Sequence, residues 1–179
     1  MTNMYDFSQD HFRLFSLVPA FQLDLDKLEK TYREIQNQVH PDRFAHLGET
    51  ERRLSMQWST HVNEAYLTLK KPINRARYLL QLNGVETREE TNTAMPPEFL
   101  MQQMEWREAI GEAKAERDSA RLETLESELK TSAKALQNEL ARLLDTDKDF
   151  DAAADAVRKL KFMEKLMSEV QDAFEALES

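Results

Sequence analysis

The amino-acid sequence predicts an all-α protein. Only three glycines and five prolines occur among its 179 residues, whereas the turns of a β-sandwich or barrel need many of both. Charged residues make up 32% of the chain and apolar residues 41%, and apolar positions recur at helical spacing along most of it. A chain of this length forms one ordinary domain or two small ones, and we favour two small helical domains.

Three helices and a loop are predicted first. The first helix is short, covering about residues 9–17. The second begins after Asp24, a suitable N-cap, and ends near Val39. It ends there because Pro41 has no N–H and pushes the residue before it out of the helical conformation. Residues 40–48 are therefore expected to form a loop, which leads into the third helix.

The third helix, from about Glu49 to Leu69, completes a helical hairpin. Its predicted apolar stripe consists of Leu54, Trp58, Val62, Ala65, Tyr66 and Leu69. It is long enough to pack antiparallel against the second helix, so the hairpin tip presents His40-Pro41-Asp42. A fourth, short helix has Pro72 in its first turn and ends at Asn83-Gly84.

The domain boundary is predicted at the end of that fourth helix. Residues 1–83 form the first domain, and residues 84–96 are polar without an apolar period, which indicates a linker or an ordered crossover. Residues 97–179 contain three long amphipathic patterns with short connections, which predicts an antiparallel three-helix bundle. Its helices cover about residues 97–116, 119–144 and 149–177.

Composition excludes several classes of function. The chain has no cysteine, so it holds no disulfide, thiolate metal site or cysteine nucleophile. The N-terminus lacks the pattern of a signal peptide and no window is apolar enough to span a membrane, so we expect a cytoplasmic protein without a membrane partner. Residues 84–179 carry 13 basic and 23 acidic residues, which disfavours nucleic acid as a partner.

The ionisable residues do not assemble into a catalytic site. His11, His46 and His61 lack a convergent set of partners at recognisable spacing. A metal site built from His40, Asp42 and His46 is the alternative, and we disfavour it. We expect no enzymatic activity, no metal and no cofactor.

The tripeptide His40-Pro41-Asp42 carries the first functional signal. It is weak alone, because average composition yields it by chance in about one chain in a hundred. Asp42, on a turn made rigid by Pro41, offers a carboxylate that a partner arginine can bind through two charge-assisted hydrogen bonds. The setting between two amphipathic helices, with Arg43-Phe44 following, resembles the J-domain.

The J-domain resemblance implies that this loop stimulates the ATPase of a DnaK-class chaperone, with His40 fixing the loop. Basic and polar residues of the second helix assist in that family. The matching positions are His40, Pro41, Asp42, Arg33, Gln36, Asn37 and Arg43. The residues on the helix are equally well explained as a solvated face.

The rest of the chain resembles one family of J-proteins. It has neither a Gly/Phe-rich linker nor a zinc-binding cysteine region. Similarity to the HscB family lies in residues 69–72, 75–80, 99–101, 107–108, 151–155 and 157–160, and in Phe162. The similarity covers essentially the whole chain. It implies an L-shaped co-chaperone of the chaperone HscA that delivers the scaffold protein IscU, assisting iron–sulfur cluster assembly and the maturation of iron–sulfur proteins. The alternatives are a J-domain co-chaperone with another client, or a helical interaction scaffold with an idle His-Pro-Asp loop.

The first helix of the bundle has more apolar surface than one core requires. Phe99, Trp106, Ile110 and Ala113 share one face, and Leu100, Met101, Met104 and Glu108 lie roughly opposite. Methionines suit an adaptable docking surface. Matching the family's client-binding positions gives Leu100, Met101, Met104, Glu105, Arg107, Glu108 and Phe162. Alternatively, Leu100 and Met104 pack beneath the J-domain.

Overall fold

The structure is a computed structural model that describes residues 5–92 and 94–179, and all regular secondary structure in those residues is helical. The helices are α1 His11–Leu14, α2 Leu25–Gln38, α3 Pro41–Phe44, α4 Glu49–Lys70, α5 Pro72–Leu82, α6 Pro97–Ala115, α7 Ser119–Ala141, a π-helical segment Arg142–Thr146, and α8 Phe150–Glu178. The predicted all-α fold is confirmed. None of the described helices is long and apolar enough to cross a membrane.

The chain divides into two compact units, one ending at Leu79 and the other extending from Leu80 to Ser179. We call them the hairpin unit and the bundle unit. The division falls inside α5, whereas the sequence suggested a boundary after that helix.

The hairpin unit is built on α2 and α4, which pack against each other. The Asp24 side chain caps α2 by accepting a hydrogen bond from the Lys27 N–H at 3.1 Å, as the sequence predicted. Between the two helices, the rings of Tyr32 and Tyr66 stack with centroids 4.0 Å apart. The core of the unit includes Phe12, Phe15, Leu28, Val62, Ala65 and Leu69. Burial of these side chains from α1, α2 and α4 and from Phe15 after α1 holds the unit together.

Three details of the hairpin unit differ from the sequence predictions. α1 is shorter than predicted because the chain leaves the helix at Ser16, whose φ is 57°. The expected loop over residues 40–48 contains the one-turn helix α3. Leu54 is exposed, and Ser55 takes the buried position on α4 instead.

The bundle unit consists of α6, α7 and α8, as predicted, with chain reversals at residues 116–118 and 147–149. Each reversal contains a residue with positive φ, Arg117 and Lys148, both at 54°. The core joins all three helices through Trp106, Ile110, Ala113, Leu122, Leu125, Leu129, Met163, Leu166, Val170 and Ala173. Adjacent helices therefore run in opposite directions, and α6 and α8 run parallel.

Two parts of the bundle unit carried no clear sequence signal. The last turn of α7 widens into the π-helical segment, which buries Leu143 and Leu144. The segment before α6 is held to α8, because the guanidinium of Arg158 donates a hydrogen bond to the carbonyl of Thr87 at 2.8 Å. Both residues are buried, so this segment is ordered against the bundle rather than a free linker.

Candidate functional site

The first candidate site is the turn at the tip of the hairpin unit. α2 ends at Gln38 with Val39 as its C-cap, and His40 has an extended ψ of 133°, as expected for a residue before proline. Pro41 occupies the first position of α3, where its missing N–H costs nothing. The backbone N–H of Asp42 donates to Nδ1 of His40 at 3.2 Å, so the imidazole caps this single turn.

This capping leaves the Asp42 carboxylate available to a partner. Its side chain is 91% exposed, and Oδ2 lies 3.5 Å from His40 Nδ1. Because Nδ1 accepts the Asp42 N–H, it carries no proton, so this approach is not an ion pair. The turn therefore presents one oriented carboxylate, the geometry that a guanidinium can grip bidentately.

A buried hydroxyl ties this turn to α4. The Ser55 hydroxyl donates to the carbonyl of Val39, the residue before the tripeptide, at 3.3 Å. Ser55 is only 2% exposed. The bond gives a partner to one carbonyl at the end of α2 that has none within that helix.

The predicted polar residues around the tripeptide, three on α2 and one on α3, fall into two groups. Gln36 is partly buried and donates to Oδ1 of Asn63 on α4, which also accepts from the Tyr32 hydroxyl at 2.6 Å. Arg33 is exposed and paired with Glu29 at 2.6 Å. The other two predicted residues are both exposed, namely Asn37 and Arg43. The structure thus joins Gln36 to α4 and leaves the others on the surface.

The second candidate site is the outward face of α6. The inward face buries Gln103, Trp106, Ile110 and Ala113. On the outward face Leu100 is 41% exposed, Met101 62% and Met104 70%. Glu105 and Glu108 are also exposed. Three large apolar side chains on consecutive turns of one helix form an apolar patch of the kind that marks an interaction surface.

Two contacts show where Phe162 lies along this surface. The Lys159 ammonium lies 5.8 Å from the centroid of the Phe99 ring. Farther along, Nε of Arg107 lies 3.6 Å from Oε1 of Glu169. Phe162 falls between the two contact levels on α8, and it is half-buried. Phe162 therefore belongs to the stretch of α8 that runs beside α6, and Arg107 is engaged by α8.

Sequence reasoning did not single out Ser55, Asn63 or Gln103. Gln103 is 5% exposed, and its Nε2 has no hydrogen-bond partner among the described residues. A polar residue inside an apolar stripe was the signal for Ser55 and Gln103, whereas nothing local marked Asn63. Across residues 5–92 and 94–179, no group of three or more histidine and carboxylate side chains could hold a metal ion.

Comparison with known proteins gives a consistent result. The family model described as the HSCB C-terminal oligomerisation domain matches residues 95–171. The chain is 52% identical over 174 residues to a co-chaperone protein HscB homolog of Aromatoleum aromaticum, a match that covers 97% of this chain and 98% of the relative.

Solved structures agree. Chaperone HscB from Vibrio cholerae superposes with a TM-score of 0.84 at 36% identity, covering 94% of this chain and 99% of that one. Human co-chaperone protein HscB superposes with a TM-score of 0.86 at 32% identity, covering 93% and 82%. The likeness extends over both units of the chain.

Proposed function

This chain belongs to the HscB family of co-chaperones, and we propose that it stimulates the ATPase of the DnaK-class chaperone HscA and delivers the scaffold protein IscU to it. In this proposal it acts in the cytoplasm, assists iron–sulfur cluster assembly and transfer, and supports the maturation of iron–sulfur proteins. It is an adaptor between two proteins and has no catalytic residues of its own.

The observation that carries the proposal is the exposed carboxylate of Asp42 on a capped turn. A stimulator of an ATPase must bind the partner's nucleotide-dependent conformation more tightly than its other states. The imidazole of His40 and the ring of Pro41 hold the backbone of the turn that carries the carboxylate, so less backbone entropy is lost when it meets an arginine. Arg33, Gln36, Asn37 and Arg43 add secondary contacts to the chaperone.

The bundle unit supports the client half of the proposal. Leu100, Met101 and Met104 give an exposed apolar surface, and Phe162 extends it on α8. Interfaces of this kind have an apolar centre and a polar rim. Glu105, Arg107 and Glu108 supply that rim on α6. We propose that these seven residues bind IscU.

The test is the steady-state ATPase of HscA, measured with the wild-type chain and with Asp42→Asn, each with and without IscU. We expect stimulation by the wild type that rises further with IscU. The Asp42→Asn variant keeps the shape of the side chain and removes its charge, so stimulation should fall more than about tenfold, the cost of losing a charged partner in a bidentate pair.

The matched control is Asp26→Asn, which removes an exposed carboxylate from the first turn of α2, at the opposite end of that helix from the tip. It should stimulate normally. Stimulation that ignores IscU would indicate a J-domain co-chaperone with another client. No stimulation of any DnaK-class partner would leave the alternative of a helical scaffold with an idle loop.

A further inference from the structure

An open groove of about 410 Å³ lies beside Phe162 in the bundle unit. Phe162 lines it together with Arg158, Lys161 and Lys165 of α8, and Glu89 lines it from the segment before α6. None of the cations was among the residues predicted to bind a client. We propose that this groove binds an acidic segment of the client, next to the apolar contact that Phe162 makes.

The placement of charge in this unit is uneven. Residues 84–179 carry 13 basic and 23 acidic residues, yet four of those basic residues, Arg158, Lys159, Lys161 and Lys165, fall within residues 158–165. Lys161 and Lys165 are four residues apart on α8, so they project from the same face. The groove therefore has two exposed ammonium groups, those of Lys161 and Lys165, on an otherwise acidic unit.

The cations differ in how far the fold already uses them. Arg158 is buried and donates to the Thr87 carbonyl and to Asp155, so it builds the wall of the groove. The Lys161 ammonium lies 3.5 Å from Glu164, and both side chains are more than half exposed, so this pair is weak.

The side chain of Lys165 has no ion pair or hydrogen bond within the described ranges 5–92 and 94–179. Two acidic residues, Glu89 and Glu164, also line the groove, and Arg158 is already paired with Asp155. Lys161 and Lys165 are therefore the two cations of the groove that are available to bind a partner's carboxylates.

The occupant is inferred from charge complementarity with the two lysines. An apolar side chain flanked by two lysines matches a peptide with an apolar residue followed by carboxylates. A second copy of this chain also carries carboxylates, but two copies with a net charge of −9 each repel each other overall, so we commit to the client and treat self-association as an outcome of the test. The proposal rests on the proposed function, since it names the chemistry of the client at the same site.

The test is the affinity of the full chain for IscU after the double change Lys161→Glu and Lys165→Glu. We expect about tenfold weaker binding at low salt, mainly through slower association, because rim charges act on encounter more than on dissociation. At about 0.5 M salt the difference should shrink to less than about twofold, since screening suppresses exposed charges.

Two further variants isolate the groove. Lys130→Glu with Lys134→Glu makes the same change of charge on exposed residues of α7 and should weaken binding less than about twofold. Lys161→Gln with Lys165→Gln, which adds no negative charge, should give a smaller loss in the same direction. Circular dichroism checks that each variant remains folded.

The outcomes separate the groove from the proposed function. If the α7 variant weakens binding equally, the effect is one of overall charge and the groove proposal is wrong. If the groove variants bind normally while loss of Leu100, Met101 and Met104 abolishes binding, the groove fails and the client surface stands. Wild-type chain that does not bind IscU overturns both. Self-association that disappears in the groove variants, with IscU binding intact, identifies a second copy as the occupant and overturns the proposal.

Discussion

In the hairpin unit the candidate surface is one carboxylate on a fixed turn, whereas in the bundle unit it is a set of apolar side chains spread along α6. The turn is held by a side-chain cap, a proline ring and the hydroxyl of Ser55. The α6 surface consists of Leu100, Met101 and Met104, and no described contact in the bundle core requires any of them. Binding at the turn depends on the orientation of one charged group, whereas binding at α6 depends on the apolar area that is buried.

The difference shows how one small chain can handle two partners separately. A directional charge discriminates between states of a partner, because its bond forms only when the partner's arginine is in place. Apolar area gives affinity without strict geometry, which suits a client that must be held and then released. The two surfaces should therefore respond to mutation in different ways, one to a single change and the other to several.

The largest effect in the bundle unit should come from the triple change Leu100→Ala, Met101→Ala and Met104→Ala. Each side chain contributes on the order of 1 kcal/mol when buried by a partner, so together they should weaken IscU binding about 100-fold. Folding should be unaffected because all three are exposed. Phe162 is left intact, since it is half-buried and its loss would also disturb packing. Isothermal titration calorimetry measures the affinity.

The matched control for that triple change lies in the other unit. Met56 and Leu67 are exposed residues of α4, at 64% and 56%. Changing both to Ala removes comparable apolar surface and should leave IscU affinity unchanged. If a single change at one of the three α6 residues causes the whole loss of affinity, binding at α6 also depends on one residue, and the contrast with Asp42 is wrong.

A smaller effect is expected from Ser55→Ala in the hairpin unit. The change removes the hydroxyl that donates to the Val39 carbonyl and leaves that buried carbonyl without this partner, at a cost of about 1 kcal/mol. The amides of Val39, His40 and Asp42 should exchange faster with solvent, and HscA stimulation should fall several-fold while IscU affinity is unchanged. Hydrogen exchange and the ATPase assay provide the two measurements.

Thr60→Ala is the control for the serine. The Thr60 hydroxyl also donates to a backbone carbonyl, that of Met56 at 3.1 Å, but inside α4 and on its exposed side. It should change neither exchange at the tip nor stimulation. Equal amide exchange at Val39, His40 and Asp42 in the serine variant and the wild type would show that Ser55 does not position the turn.

Much of this fold followed from local patterns. The N-cap at Asp24, the proline that ends α2 and the apolar stripes of α4 and α8 placed the long helices correctly, because each of these signals acts within a few residues. The turn α3 was missed because a histidine side chain caps it, and histidine is not among the common N-caps. The π-helical segment leaves no periodic pattern at all.

The parts that could not be predicted depend on residues far apart in the chain. Arg158 reaches the Thr87 carbonyl across 71 positions, and Asn63 joins Gln36 from the facing helix. The candidate surface on α6 was visible in the sequence because an excess of apolar residues on one helix is a local property. The cationic groove was not, since it needs the segment before α6 to lie against α8.

The smallest effect concerns His11, on the hairpin unit away from its tip. The imidazole stacks on Tyr78 with ring centroids 4.2 Å apart, and its Nδ1 is buried without a hydrogen-bond partner among the described residues. Burial lowers the pKa of His11 below its ordinary 6.5, and nearby His61 lowers that pKa further, against opposing contributions from Asp10 and Glu64. The folded hairpin unit therefore favours neutral His11.

This lowered pKa sets the sign of a pH dependence. Well above pH 6.5 His11 is neutral in both folded and unfolded chains and costs nothing. As the pH falls below 6.5 the unfolded chain binds a proton that the folded unit resists, so the hairpin unit loses stability while the bundle unit does not share this loss. Urea titrations followed by methyl NMR signals of Val62 and Leu166, buried in the two units, should show this loss of stability.

Two variants test whether His11 is responsible. His11→Phe keeps the stack on Tyr78 and should flatten the pH dependence of stability, whereas His46→Gln, at an exposed site, should leave it unchanged. If His11→Phe retains the full acid sensitivity, another group is responsible, and the contrast between the units does not extend to pH through this side chain.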